Sequence, residues 1–153
     1  RGIQSLVKVG QKQWNVNAGF NYIGTASNYS DGRYAYSPEF VSNVSYQLKN
    51  GTTKFSAFYK YTGKVVTYFV NDDASITQQF ISDYQLLDLQ VQQWFLKKTL
   101  SVSLGGKNLL NVTNIRAGSG TTGGAHASSS GSAPIAWGRS FYVNITYLLK
   151  SKQ

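Results

Sequence analysis

Ser140-Phe141-Tyr142-Val143-Asn144-Ile145-Thr146-Tyr147-Leu148-Leu149 is the stretch that decides the fold. Phe141, Val143, Ile145, Tyr147 and Leu149 recur at every second position, while Ser140, Tyr142, Asn144 and Thr146 fill the places between. Successive side chains of an extended chain point to opposite faces, so the segment reads as a strand with one apolar and one polar side.

Working outward, the same two-residue period covers most of the chain and a helical period is absent. Strands are expected near 2–10, 14–26, 39–49, 53–70, 79–96, 99–113 and 139–149. In the second, Trp14, Val16, Ala18, Phe20 and Tyr22 oppose Asn15, Asn17, Gly19 and Asn21. In the fourth, Phe55, Ala57, Tyr59 and Tyr61 oppose Ser56, Lys60 and Thr62, with Phe58 an apolar residue on the polar side. Connections alternate short and long. Gln11-Lys12-Gln13, Asn50-Gly51 and Lys97-Lys98 are tight, and Asn50-Gly51 is a strong two-residue hairpin signal. The segments from Ser27 to Pro38, around Asn71-Asp72-Asp73, and from Asn114 to Gly138 are long.

Composition narrows the setting. Aromatic residues make up 14% of the 153-residue chain and charged residues another 14%, against about 25% charged in soluble domains. With no Cys, a disulfide framework and a thiolate metal site are excluded. The chain opens on Arg1 without Met, which reads as a piece of a longer or processed protein. No apolar run approaches the roughly 20 residues of a membrane helix, so a membrane reading has to be a β-barrel reading, in which every backbone polar group is paired between strands. The alternating short and long connections, and strands of about ten residues, are what such a barrel requires. The expected fold class is all-β, an antiparallel up-and-down segment of about seven strands of a transmembrane β-barrel.

The net charge of +9 is distributed by height. Lys12, Lys49, Lys54, Lys97, Lys98, Lys150 and Lys152 lie at the short-turn end or tail, and Asp31, Glu39, Asp72, Asp73 and Asp83 toward the long loops. Lysines that cap strand ends give that layout, and so does attraction to anionic lipid headgroups; nucleic acid is not implied. On the apolar side, Trp14, Phe55, Phe95 and Tyr147 lie near the short turns, and Tyr22, Tyr59, Tyr61 and Phe141 four to eight residues farther along their strands. Two interfacial girdles predict that spacing, and so do cross-strand aromatic pairs in a sandwich core.

Asp83-Tyr84-Gln85-Leu86-Leu87-Asp88, then Leu100-Ser101-Val102-Ser103-Leu104-Gly105-Gly106-Lys107-Asn108-Leu109-Leu110-Asn111-Val112, then Gly138-Arg139-Ser140-Phe141, resembles in order and spacing the C-terminal end of TonB-dependent outer-membrane receptors. Arg1-Gly2-Ile3-Gln4 resembles a further pattern of that family, which ends in Glu. Leu110 stands where the family has an aromatic, and the chain ends Lys150-Ser151-Lys152-Gln153 where family members often stop at an aromatic. The resemblance implies the last seven strands of a 22-stranded barrel in the bacterial outer membrane, with its C-terminus in the periplasm. The implied role is wall, lumen lining and extracellular loops of a nutrient importer without catalytic activity or cofactor. Implied partners are the rest of the barrel and its plug domain, outer-membrane lipid and lipopolysaccharide, TonB through an N-terminal part, and a surface lipoprotein. A passive porin or structural barrel, and a secreted carbohydrate-binding β-sandwich, are the other readings.

Candidate ligand contacts flank the long loops: Tyr34, Tyr36, His126, Trp137 and Arg139. For the loop aromatics and Arg139, anchoring at the membrane surface is the competing role. His126 is the only His, so it lacks partners for a metal site. No Ser-His-Asp spacing supports nucleophilic catalysis. Asp72-Asp73 reads as a solvated loop tip ahead of a calcium site, and Gly118 to Gly124 as a flexible loop without a phosphate-binding Lys.

Overall fold

A computed structural model describes residues 1–26, 34–70, 74–119, 132–134 and 136–149. The strands are β1 (Gly2–Gln11), β2 (Trp14–Ala26), β3 (Tyr34–Gln47), β4 (Thr53–Thr62), β5 (Val65–Val70), β6 (Ile76–Ile81), β7 (Tyr84–Phe95), β8 (Leu100–Lys107), β9 (Asn114–Ser119), β10 (Ser132–Pro134) and β11 (Ser140–Tyr147). A seven-stranded antiparallel sheet runs in the order β1-β2-β3-β4-β7-β8-β11, and a four-stranded sheet in the order β10-β9-β6-β5. The fold is all-β, and neighbours in the large sheet follow the chain. β5-β6 and β9-β10 are built from the connections on either side of the β7-β8 hairpin.

The ladder breaks inside three of the expected strands. The strand expected over 53–70 is two: β4 stops at Thr62 and β5 starts at Val65. Gly63 donates its N–H to the Pro38 carbonyl at 2.7 Å and packs against the Pro38 ring, where a Cβ would clash. Pro38 has no N–H with which to continue the ladder, so the chain leaves β3 and pairs with β6. The strand expected over 79–96 divides at Ser82-Asp83, with β6 paired to β5 and β9 and β7 paired to β4 and β8. The strand expected over 99–113 ends at Lys107, because Asn108 takes φ 51 and Asn111 φ 57. In the other direction, β3 begins at Tyr34 and not near 39, since Tyr34 to Pro38 pair with Tyr22 to Ala26.

Asn50-Gly51 does not form a two-residue turn. Such a type I′ turn needs φ above zero at both central residues; Gly51 has φ 68, and Asn50 is not among the positive-φ residues. Leu48 accepts the Gly51 N–H at 2.8 Å and donates to Thr53 at 2.9 Å, which makes a longer loop closed by glycine. The β7-β8 turn, Leu96 to Lys98, holds positive φ at all three residues.

The large sheet has no covered core. Among the described residues Ile115 is the one buried hydrophobic side chain, whereas Phe20, Ile145 and Trp14 are 42%, 67% and 52% exposed. A two-layer sandwich would pack Phe20 and Ile145 together with Tyr46 and Val91. Instead a single layer leaves both faces open.

Candidate functional site

Register fixes what each face carries. Val9, Val16, Val44, Ala57, Leu89, Gly106 and Phe141 form one row across all seven strands. Trp14, Tyr46, Phe55, Val91, Leu104 and Val143 form the next. Followed through every pair, this face contains Ser and Gln but no charged residue. Lys8, Glu39, Lys54, Lys60, Asp88 and Lys107, the charged residues of these strands, all stand on the other.

All eight aromatics expected at interfaces lie on the uncharged face: Trp14, Tyr22, Phe55, Tyr59, Tyr61, Phe95, Phe141 and Tyr147. Trp14 contacts Tyr46 with ring centroids 4.5 Å apart. Phe40 meets Tyr59 at 6.1 Å. Tyr22 stacks on Tyr36 at 4.9 Å and 13°. Tyr36 meets Tyr34 at 6.2 Å, and the Arg1 guanidinium lies 5.4 Å over Tyr34. Tyr34 and Tyr36, expected in a loop, are thus strand residues joined to Tyr22 on the uncharged face.

The charged face is held by short polar contacts. Glu39 pairs with Lys60 at 3.0 Å and accepts from Asn21 at 3.2 Å. Asn17 donates to Asn15 at 3.0 Å. Asn15, Asn17, Asn43, Lys54, Asp88 and Lys107 surround a concavity of about 330 Å³. Lys107 lies 5.6 Å over the Tyr142 ring. Amide, ammonium and carboxylate groups suit this surface to binding a polar solute or another polar protein surface. Leu6, Ile23, Val41, Phe58, Leu86 and Trp94 interrupt it with apolar contact area.

At one edge a knot around Asn108 fixes the start of the last strand. Asn108 is buried, and its Nδ2 donates to the carbonyls of Val112 at 2.8 Å and Trp137 at 3.0 Å. Its Oδ1 accepts from the Val112 N–H at 2.9 Å. Asn111 Oδ1 accepts the Arg139 N–H at 3.0 Å, and Arg139 Nε donates to the Leu109 carbonyl at 3.0 Å. Arg139 is therefore tied to backbone, while the Trp137 side chain is 93% exposed. His126, Asp31, Asp72, Asp73, Lys150, Lys152 and residues 120–124 lie outside the described residues. Sequence reasoning reaches the Lys107 to Asn111 stretch through resemblance alone; the physical signal is the pair Asn108 and Asn111, the residue type after Gly that best tolerates positive φ.

The fold and site define an all-β protein whose larger, seven-stranded antiparallel sheet has one charged and one uncharged face. No family model, curated protein or solved structure matches the chain.

Proposed function

We propose that the large sheet is part of the wall of a transmembrane β-barrel in the bacterial outer membrane, and that the barrel belongs to a TonB-dependent nutrient importer. One observation carries the membrane reading: the charged residues of seven strands share one face, and the opposite face is uncharged, rich in aromatics and uncovered. Isolated apolar residues on a soluble surface need no explanation, but a continuous sheet face of them does. Hydrocarbon on that face and a polar interior on the other meet the requirement. From Trp14 to Tyr22 is about 27 Å along the strand at ~3.4 Å per residue. A tilt of about 35–45° brings that to roughly 19–22 Å, which fits aromatic girdles bounding an apolar band of about 25 Å.

The importer, as against an open porin, is favoured by the apolar residues on the charged face. Phe58 sits between Asn43 and Asp88 in register, and Trp94 opposite Ser101. A water-filled channel gains nothing from them, whereas a plug packed in the barrel buries them. The motif resemblance points the same way. On this reading β1 and β11 pair with further strands to close the barrel, the tight turns face the periplasm, and the long connections face outward.

The chain contains no Cys, so single cysteines report each face. In lipid vesicles, Val16→Cys, Leu89→Cys and Val143→Cys are expected to resist a membrane-impermeant maleimide. Asn17→Cys and Gln90→Cys are expected to react once a small reagent enters the lumen. Equal labelling of both sets removes the membrane reading.

A further inference from the structure

The uncharged face contains a depression beside two of the tight turns. Ala57 and Gly106 form its floor, each paired with Leu89, and Trp14, Phe55, Leu109 and Phe141 form walls around about 810 Å³. Leu109 and Phe141 close over the glycine: a Cβ on Gly106 would meet Leu109 at 2.7 Å and Phe141 at 3.2 Å.

Just past the Trp14–Tyr46–Phe55 row the chain turns at Lys12 and at Lys49, both exposed. Neither has a carboxylate partner among the described residues, where the ion pair is Lys60–Glu39. Every described acidic residue, Glu39, Asp83 and Asp88, is in or beside strand positions away from these turns, and Asp88 is bonded to the Asn108 N–H. An apolar slot with unneutralised ammonium groups at one end matches an amphiphile with an anionic head.

We propose that this slot seats an acyl chain of an anionic phospholipid whose phosphate lies between Lys12 and Lys49. The assignment rests on the membrane reading above. Basic residues at a membrane surface favour anionic lipid by about 1 kcal/mol each, roughly fivefold, so preference over a zwitterionic lipid should be several-fold.

The test is quenching of Trp14 fluorescence by brominated acyl chains. The complete protein is reconstituted in phosphatidylcholine vesicles containing increasing fractions of brominated phosphatidylglycerol or brominated phosphatidylcholine, and the Trp14 signal is the difference from Trp14→Phe. Half-quenching is expected at a mole fraction at least about threefold lower for the brominated glycerol lipid. A Lys12→Gln/Lys49→Gln variant should lose that ratio and still be quenched by both lipids. Equal quenching of the unaltered protein by both lipids overturns the selective site and leaves the membrane reading standing. Retention of the ratio in the double variant overturns the role of the lysines. Quenching by neither lipid overturns the site together with the membrane reading.

Discussion

Asp88 on β7 accepts the backbone N–H of Asn108 at 2.7 Å, across the strand pair at the point where β8 ends. The next residue, Leu109, donates to the Leu87 carbonyl at 2.8 Å, so both strands are clamped at one level. From there the Asn108 side chain reaches Val112 and Trp137, and Asn111 reaches Arg139. One carboxylate and two amides thereby set the entry of β11.

Replacing Asn108 tests the clamp. Asn108→Ala removes three side-chain hydrogen bonds at a buried site and leaves a residue with a Cβ at positive φ. Unsatisfied buried groups cost about 1–3 kcal/mol and the strained backbone about 1 more. Urea unfolding from detergent micelles is expected to show a loss of about 2–4 kcal/mol. Asn108→Gly relieves only the backbone strain, so it should recover about 1 kcal/mol at most. Full recovery by glycine would mean that the side-chain bonds contribute nothing.

The two faces should differ in their tolerance of charge. Ala57→Arg and Leu89→Arg put a guanidinium on the uncharged face near mid-height, where a lipid-facing Arg costs about 2–4 kcal/mol. Gln90→Arg, one residue from Leu89, falls on the charged face and should cost under about 0.5 kcal/mol. Unfolding free energies in vesicles give the comparison, and equal costs at Leu89 and Gln90 contradict the proposed orientation.

The faces are legible in the sequence because alternation is a local property. Trp14 to Tyr22 and Phe141 to Tyr147 name their side without reference to any partner strand. Strand ends are less legible because partners set them. Nothing near Gly63 announces that Pro38 lies against it, and Tyr34 to Pro38 look like loop until Tyr22 to Ala26 are placed beside them. The Asn50-Gly51 signal marks a turn correctly and its length incorrectly, since one positive φ suffices. The Asn108 knot joins residues 20 and 29 positions apart; its members carry no periodic pattern, so their order in the sequence suggests a motif but not its bonds.

The Glu39–Lys60 pair is a modest contributor. Its side chains are about one-third exposed, and ion pairs that water reaches are worth roughly 0–1 kcal/mol. A double-mutant cycle of Glu39→Gln and Lys60→Gln is expected to give a coupling of about 0.5 kcal/mol that shrinks in 0.5 M salt, with salt-induced weakening on the order expected from a Debye length near 4 Å. A coupling above about 2 kcal/mol, insensitive to salt, would indicate that this part of the charged face is shielded from water.

Gly105 and Tyr142 should couple with a change of sign. They are directly opposed in register, and a Cβ on Gly105 would fall on the Tyr142 ring, which therefore lies over the glycine. An aromatic covering a strand glycine offsets the side chain that the glycine lacks. Gly105→Ala is accordingly expected to cost about 1–3 kcal/mol by overpacking. With Tyr142→Ala the obstruction is gone and the ordinary preference for alanine over glycine within a strand, about 0.5–1 kcal/mol, takes over. The same substitution then becomes neutral or stabilising. Lys107 adds a check, since its ammonium lies 5.6 Å from the Tyr142 ring centroid. Tyr142→Phe keeps the ring over Gly105 and should leave the cost of Gly105→Ala unchanged, whereas Tyr142→Leu should reduce it. If Gly105→Ala costs the same in the Tyr142→Ala background as in the unaltered protein, the glycine is required by the backbone and not by the ring.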